Sequence, residues 1–148
     1  MSDIAWQLFG NGPTGWARVQ AICDFVHTHI AFGYEYARRT RTAWEAHNER
    51  QGVCRDFAHV GIALCRSLQI PARMVVGYMH GLKPMDLHAW FEAFLGGRWY
   101  TFDATQDAPR GARIVLAYGH DATDVAFISD YGPRPLQLNE MRVEVTAA

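Results

Sequence analysis

Cys54 stands where a thiol can act as a nucleophile. It follows Gly52-Val53 and opens a run through Leu68 in which Phe57, Val60, Gly61, Leu64 and Leu68 recur at helical spacing. Ile62, Ala63 and Cys65 make the opposite side apolar too, so the predicted helix is buried nearly all round, with Arg55, His59 and Arg66 as its polar stripe. A thiol in the first turn of a helix meets unpaired backbone N–H groups and the positive end of the macrodipole, and both favour an anion. The thiolate is the nucleophilic form of cysteine, which makes Cys54 the first candidate for chemistry.

Its partners follow from turn chemistry. Leu95-Gly96-Gly97-Arg98 is a two-residue hairpin signal, because both central residues tolerate positive φ. With Gly96-Gly97 as the loop, Leu95 pairs with Arg98, Glu92 faces Thr101, Trp90 faces Asp103 and Ala89 faces Ala104. Alternation then places His88, Trp90 and Asp103 on one face, with His88 and Asp103 as diagonal neighbours within reach. A carboxylate beside an imidazole fixes its tautomer and stabilises its cation. Cysteine, histidine and aspartate so arranged suit acyl transfer from an amide: Cys54 attacks the carbon, His88 protonates the leaving amine, and Asp103 orients His88. The Cys54 backbone N–H is the natural first oxyanion donor. Tyr34, Tyr36, Gln51 and Trp90 are candidates for a second donor or for the substrate groove, and residue types alone do not rank them.

The remaining polar and thiol residues have plainer roles. Cys23 and Cys65 fall on apolar helical faces and are expected to be packing thiols. Asp56, in the first turn of the cysteine helix, favours structural support, and His59 fills the polar stripe. A zinc site from Cys54, His59 and His88 would need a Cys-x-x-Cys or His-x-x-x-His pair, and the sequence has neither. No metal and no cofactor is expected.

The elements that must hold these residues come in a simple order. Asp3 to Phe9 suits a short docking helix or turn, and Trp16 to Ile30 a helix with Trp16, Val19, Ile22 or Cys23, Val26 and Ile30 on one face. His27 and His29 are expected as solvated residues of its last turn. Phe32 to Tyr36 alternates like a strand or extended arm, and Arg38 to Arg41 reads as a solvated basic loop. Thr42 and Glu45 stand in capping-box spacing at the head of a short helix. The cysteine helix should end near Gln69, since Pro71 disfavours a helical Ile70. Strands are predicted at Arg73–Met79, Leu87–Leu95, Arg98–Phe102, Ile114–Tyr118 and Val125–Ile128, with an edge strand at Met141–Val145. Helices first and strands afterwards is an α+β order, with the cysteine helix packed on an antiparallel sheet.

Composition bounds the rest. A chain of 148 residues is one domain by size, residues 1–148, with enough length for a real core. A net charge of −1 argues against nucleic acid, because phosphate affinity needs a basic excess. No apolar run is long enough to span a bilayer, so no membrane partner is expected. Met1-Ser2-Asp3-Ile4 does not open a signal peptide, and three cysteines without framework spacing do not suggest disulfides. A cytoplasmic, reducing setting is the expectation.

Four blocks carry a family resemblance: Gly52-Val53-Cys54-Arg55-Asp56-Phe57-Ala58-His59; Ile70-Pro71-Ala72-Arg73 with Gly77-Tyr78; His88-Ala89-Trp90-Phe91-Glu92; and Trp99-Tyr100-Thr101-Phe102-Asp103-Ala104-Thr105. In order and spacing, over about residues 16 to 130, they resemble the bacterial transglutaminase-like superfamily. The resemblance implies a papain-like α+β core, a Cys54–His88–Asp103 triad, and a protein or peptide substrate offering an amide side chain or a peptide bond. The family includes crosslinkers, peptidases, amidases and inactive scaffolds. Its acceptor is water in a peptidase or amidase and a lysine amine in a transglutaminase; a small single domain leans the expectation to hydrolysis. The alternative is a catalytically silent peptide-binding module on the same fold. Two departures stand out. Many relatives carry a β-rich domain ahead of the core, which this chain does not supply, and Asp103-Ala104-Thr105 stands where the family often has Asp-Pro-Thr.

Overall fold

Polar caps and apolar periodicity divide the chain near Leu68, with helices before it and the main sheet after it. The computed structural model describes residues 1–107, 111–129, 131–134, 137 and 139–146. Helices α1 (Ser2–Phe9) and α2 (Trp16–His29) are followed by α3 (Ala43–Glu49), whose first turn is closed by the Thr42/Glu45 capping box. The cysteine helix, α4 (Cys54–Ser67), lies at the centre and touches α1, α2 and α3 on one side and the sheet on the other.

The sheet contains β3 (Ala72–Met79), β4 (His88–Leu95), β5 (Arg98–Phe102) and β6 (Arg113–Gly119), in the antiparallel order β5-β4-β3-β6. The hairpin has the expected register, with Leu95 opposite Arg98 and Glu92 opposite Thr101. Gly96 and Gly97 both take positive φ, 56° and 90°, as a tight turn matched to strand twist demands. Regular pairing stops at Phe91–Phe102, so Asp103 leaves the sheet just past the ladder. Across α4 and β4 the approach is close: a Cβ on Gly61 would lie 2.6 Å from Phe91 Cε1. Phe57, Val60, Leu64, Met74, Phe91 and Phe102 form the middle of the buried core.

Several expectations give way to tertiary contacts. The arm at Phe32–Tyr36 is only a two-residue strand, β1 (Ala31–Phe32), parallel to β2 (Gln51–Gly52), followed by a 3₁₀ turn at Tyr34–Tyr36. Arg41 is not in a solvated loop but is 5% exposed. His27 and His29 are not free C-terminal residues: His27 Nδ1 lies 2.9 Å from the Ala104 carbonyl oxygen, and His29 Nε2 lies 2.9 Å from that of His47. Val125–Ile128 is no strand, because side-chain bonds close turns just before it, from Asp124 to the His120 N–H and from Asp121 to the Thr123 N–H. Met141–Val145 forms no strand either, for its alternation finds no ladder partner among the described residues.

Candidate active site

One buried carboxylate fixes the start of α4. Val53 occupies the N-cap position with no oxygen to offer, so Asp56 accepts from the Val53 N–H at 3.0 Å and closes the first turn. Asp56 is 0% exposed and takes Arg41 Nη1 at 3.0 Å and Arg55 Nη2 at 3.1 Å. Arg41 also reaches Glu49 at 3.1 Å, and Arg55 donates to the carbonyls of Arg38 and Arg39. The predicted support role of Asp56 is therefore extended by two arginines that pin the 36–41 loop over the helix start. Cys54, the first residue of α4, keeps a backbone N–H with no intrahelical partner, and its thiol is half-buried and free.

His88 opens β4 and meets Cys54 from the sheet side. Its Nε2 lies 2.8 Å from Asp103 Oδ2, and Cys54 stands close enough to the same ring to favour its cation. Burial works against the imidazolium, but the hydrogen bonds from Asp103 and Cys54, together with their charges, raise His88 to about 9. Burial likewise opposes the Asp103 carboxylate, yet His88 and Thr105 hold it below the usual range.

Asp103 is anchored by two further residues, Thr105 and Arg113. Thr105 gives its hydroxyl to Asp103 Oδ1 at 2.7 Å and its N–H to the same atom at 3.2 Å. The Asp-x-Thr spacing carries a signal for such a turn. Arg113, at the start of β6, reaches Asp103 Oδ2 at 3.3 Å, a contact between separate elements that no local pattern reveals. The two other thiols are of another kind. Cys23 and Cys65 are buried, and burial pushes both up to about 12, with the Asp103 and Asp24 charges adding at Cys23 and Cys23 adding at Cys65.

Two cavities, of about 310 and about 790 Å³, flank the thiol and share Cys54, Leu87 and His88 on their walls. Cys54 thus lies on the walls of both. Of the four predicted oxyanion or groove residues, Tyr34 lines the smaller cavity beside Cys54. Partial burial and the Asp86 and Cys54 charges push its phenol up, which keeps it a donor. The other three do not join it. Tyr36 offers its carbonyl to Arg41, and Gln51 pairs with Ala31, while neither walls a cavity. Trp90 is 1% exposed and packs beside the His88 ring, where alternation along β4 and the overlying Arg113 bury it. Among the described residues no three His, Cys, Asp or Glu side chains form a group that could hold a metal.

The sequence profile described as Transglutaminase-like superfamily matches residues 3–104. An uncharacterised protein of Mycobacterium leprae is 34% identical over 112 residues, which covers 69% of this chain and 40% of that protein. A candidate cysteine protease from Cytophaga hutchinsonii, of known crystal structure, is 36% identical with a TM-score of 0.81, over 93% of this chain and 54% of that one. The periplasmic domain of TgpA from Pseudomonas aeruginosa is 26% identical with a TM-score of 0.57, over 70% of this chain and 42% of that one. The chain thus spans about 40% of the Mycobacterium leprae relative and about half of the Cytophaga hutchinsonii one.

Proposed function

The chain belongs to the transglutaminase-like superfamily, and from that footing we propose that it opens amide bonds by acyl transfer to Cys54, with water as acceptor. The observation that carries this reading is the single imidazole of His88, held by Asp103 at 2.8 Å and set beside Cys54 on the walls of both cavities. The Cys54 sulfur attacks the amide carbon as thiolate. The carbonyl electrons move to oxygen, which the Cys54 N–H stabilises at the helix start. Collapse expels the amine, which takes its proton from His88, and leaves a thioester on Cys54. His88, now neutral, removes a proton from water as it attacks the thioester. The carboxylic acid departs and the thiolate–imidazolium pair returns. Asp103 holds the ring in place through both halves of the cycle. The half-buried thiol lies at the meeting of two cavities, which lets water reach the thioester and favours hydrolysis over transfer to an amine. Peptide and protein amides are the proposed substrates.

The test is to trap the intermediate. Native protein incubated with a glutamine-containing peptide library and hydroxylamine should release peptide hydroxamates, and rapid acid quench should leave an acyl group on the Cys54 peptide by mass spectrometry. Cys54→Ala should give neither product. Hydroxamate formation that survives in Cys54→Ala overturns the reading.

A further inference from the structure

The two cavities beside Cys54 differ in chemistry. The smaller one carries the aromatic rings of Phe32 and Tyr34 and one charge of each sign, Lys83 and Asp86. The larger one has an apolar wall, with Met74 and Val76 from β3 and Val125, Phe127 and Ile128 from the segment after β6. Phe127 and Ile128 remain 49% and 41% exposed there, so a ligand that covers them removes apolar surface from water.

The larger cavity is also lined by Arg39, Arg41 and Arg55. The acids of this region are already engaged: Glu45 and Glu49 hold Arg38, Glu49 and Asp56 hold Arg41, and Asp56 holds Arg55. Arg39 is exposed, and its side chain has no acidic partner among the described residues. Asp121 also lines this cavity as a carboxylate; its Oδ1 accepts from the Thr123 N–H at 2.8 Å and from the Thr123 hydroxyl, and its Oδ2 lies 3.7 Å from His120 Nδ1. A cavity whose walls carry an exposed guanidinium without an acidic partner among the described residues and open apolar side chains selects a ligand of matching pattern. Its volume of about 790 Å³ exceeds what one side chain needs and suits a short stretch of peptide.

We infer that the larger cavity is a subsite for an acidic–apolar peptide segment: a carboxylate faces Arg39 and a bulky apolar side chain packs on Phe127 and Ile128. This deepens the acyl-transfer reading by naming its substrate class, and it can be tested separately from it. Isothermal titration of Cys54→Ala protein, which cannot consume the ligand, would use acetyl-Gly-Glu-Leu-Gln-Gly-amide and two controls, one with Lys for Glu and one with Ser for Leu. The first peptide should bind tighter than each control by about tenfold, the equivalent of about 1.4 kcal/mol. Arg39→Glu should reverse the order of the Glu and Lys peptides. Phe127→Ala should weaken the Leu peptides and leave the Ser control unchanged. Both side chains face solvent, so both variants should fold.

Equal binding of the three peptides, no binding by any, or a preference untouched by Arg39→Glu overturns the subsite. The predicted preference without turnover by native protein upholds the subsite and counts against acyl transfer. Turnover without the preference does the reverse.

Discussion

His88 is charged because two neighbours outweigh its burial, and this decides how the site should respond to pH. A value raised to about 9 keeps His88 an imidazolium through neutrality, as the proposed protonation of a leaving amine requires. Turnover is predicted to fall as pH climbs through about 9, when that proton is lost. The sign for stability is the same. A group raised on folding stabilises fully below its ordinary value of 6.5 and loses that contribution as pH rises through about 9. Asp103→Asn removes the charge that supports the imidazolium while keeping the shape. It should lower kcat by about 10³–10⁴-fold, as loss of a triad carboxylate does, and move the alkaline fall in rate to lower pH. A pH–rate profile beside thermal unfolding checks both. An unchanged profile would place Asp103 outside the catalytic machinery.

At the scale of elements, the hairpin of β4 and β5 is what brings histidine and aspartate together. Its register was legible because Gly96-Gly97 permits only a few turns and because a slip would turn every side chain to the wrong face. Inserting one residue between Gly96 and Gly97 should be absorbed as a bulged three-residue turn, with modest loss of stability and residual activity. Deleting Gly97 leaves too short a loop for a regular hairpin, so it should cost far more activity with Cys54 still present. Equal activity in the two folded variants would mean that the turn does not set the His88–Asp103 contact. The α4 helix was equally legible, since its apolar spacing and the capping of Asp56 are local. Arg41 was not. In the sequence it is one of three arginines in a basic loop, and only folding shows that it completes a buried pair with Asp56. Removing one partner of such a pair leaves an unpaired buried charge. The Arg113–Asp103 contact escaped for the same reason, because it joins the start of β6 to the residue just past β5.

The molecule as a whole places a helix start from one half of the chain against a strand start from the other. That α+β order could be read from composition shifting near Leu68, whereas the ends of the sheet could not. Val125–Ile128 and Met141–Val145 have strand-like residues, but turn bonds hold the first, and the second has no ladder among the described residues. The polar stripe of α4 shows how this half-and-half assembly is held. Arg66 donates to the carbonyls of Ala72 and His120, and His59 accepts from the Ala122 N–H. These bonds tie the sheet and the segment after β6 to the cysteine helix, so Cys54 and His88 are carried on one framework.

The central claim, that this framework pairs the Cys54 thiol with the His88 imidazolium, is tested most directly by site-resolved alkylation. Native protein and His88→Ala would be treated with iodoacetamide at pH 6, and each cysteine's modification followed by mass spectrometry. In native protein Cys54 should react alone and faster than glutathione, while the buried Cys23 and Cys65 stay unmodified. In folded His88→Ala that advantage should be lost. The same Cys54 rate in both proteins would contradict the account.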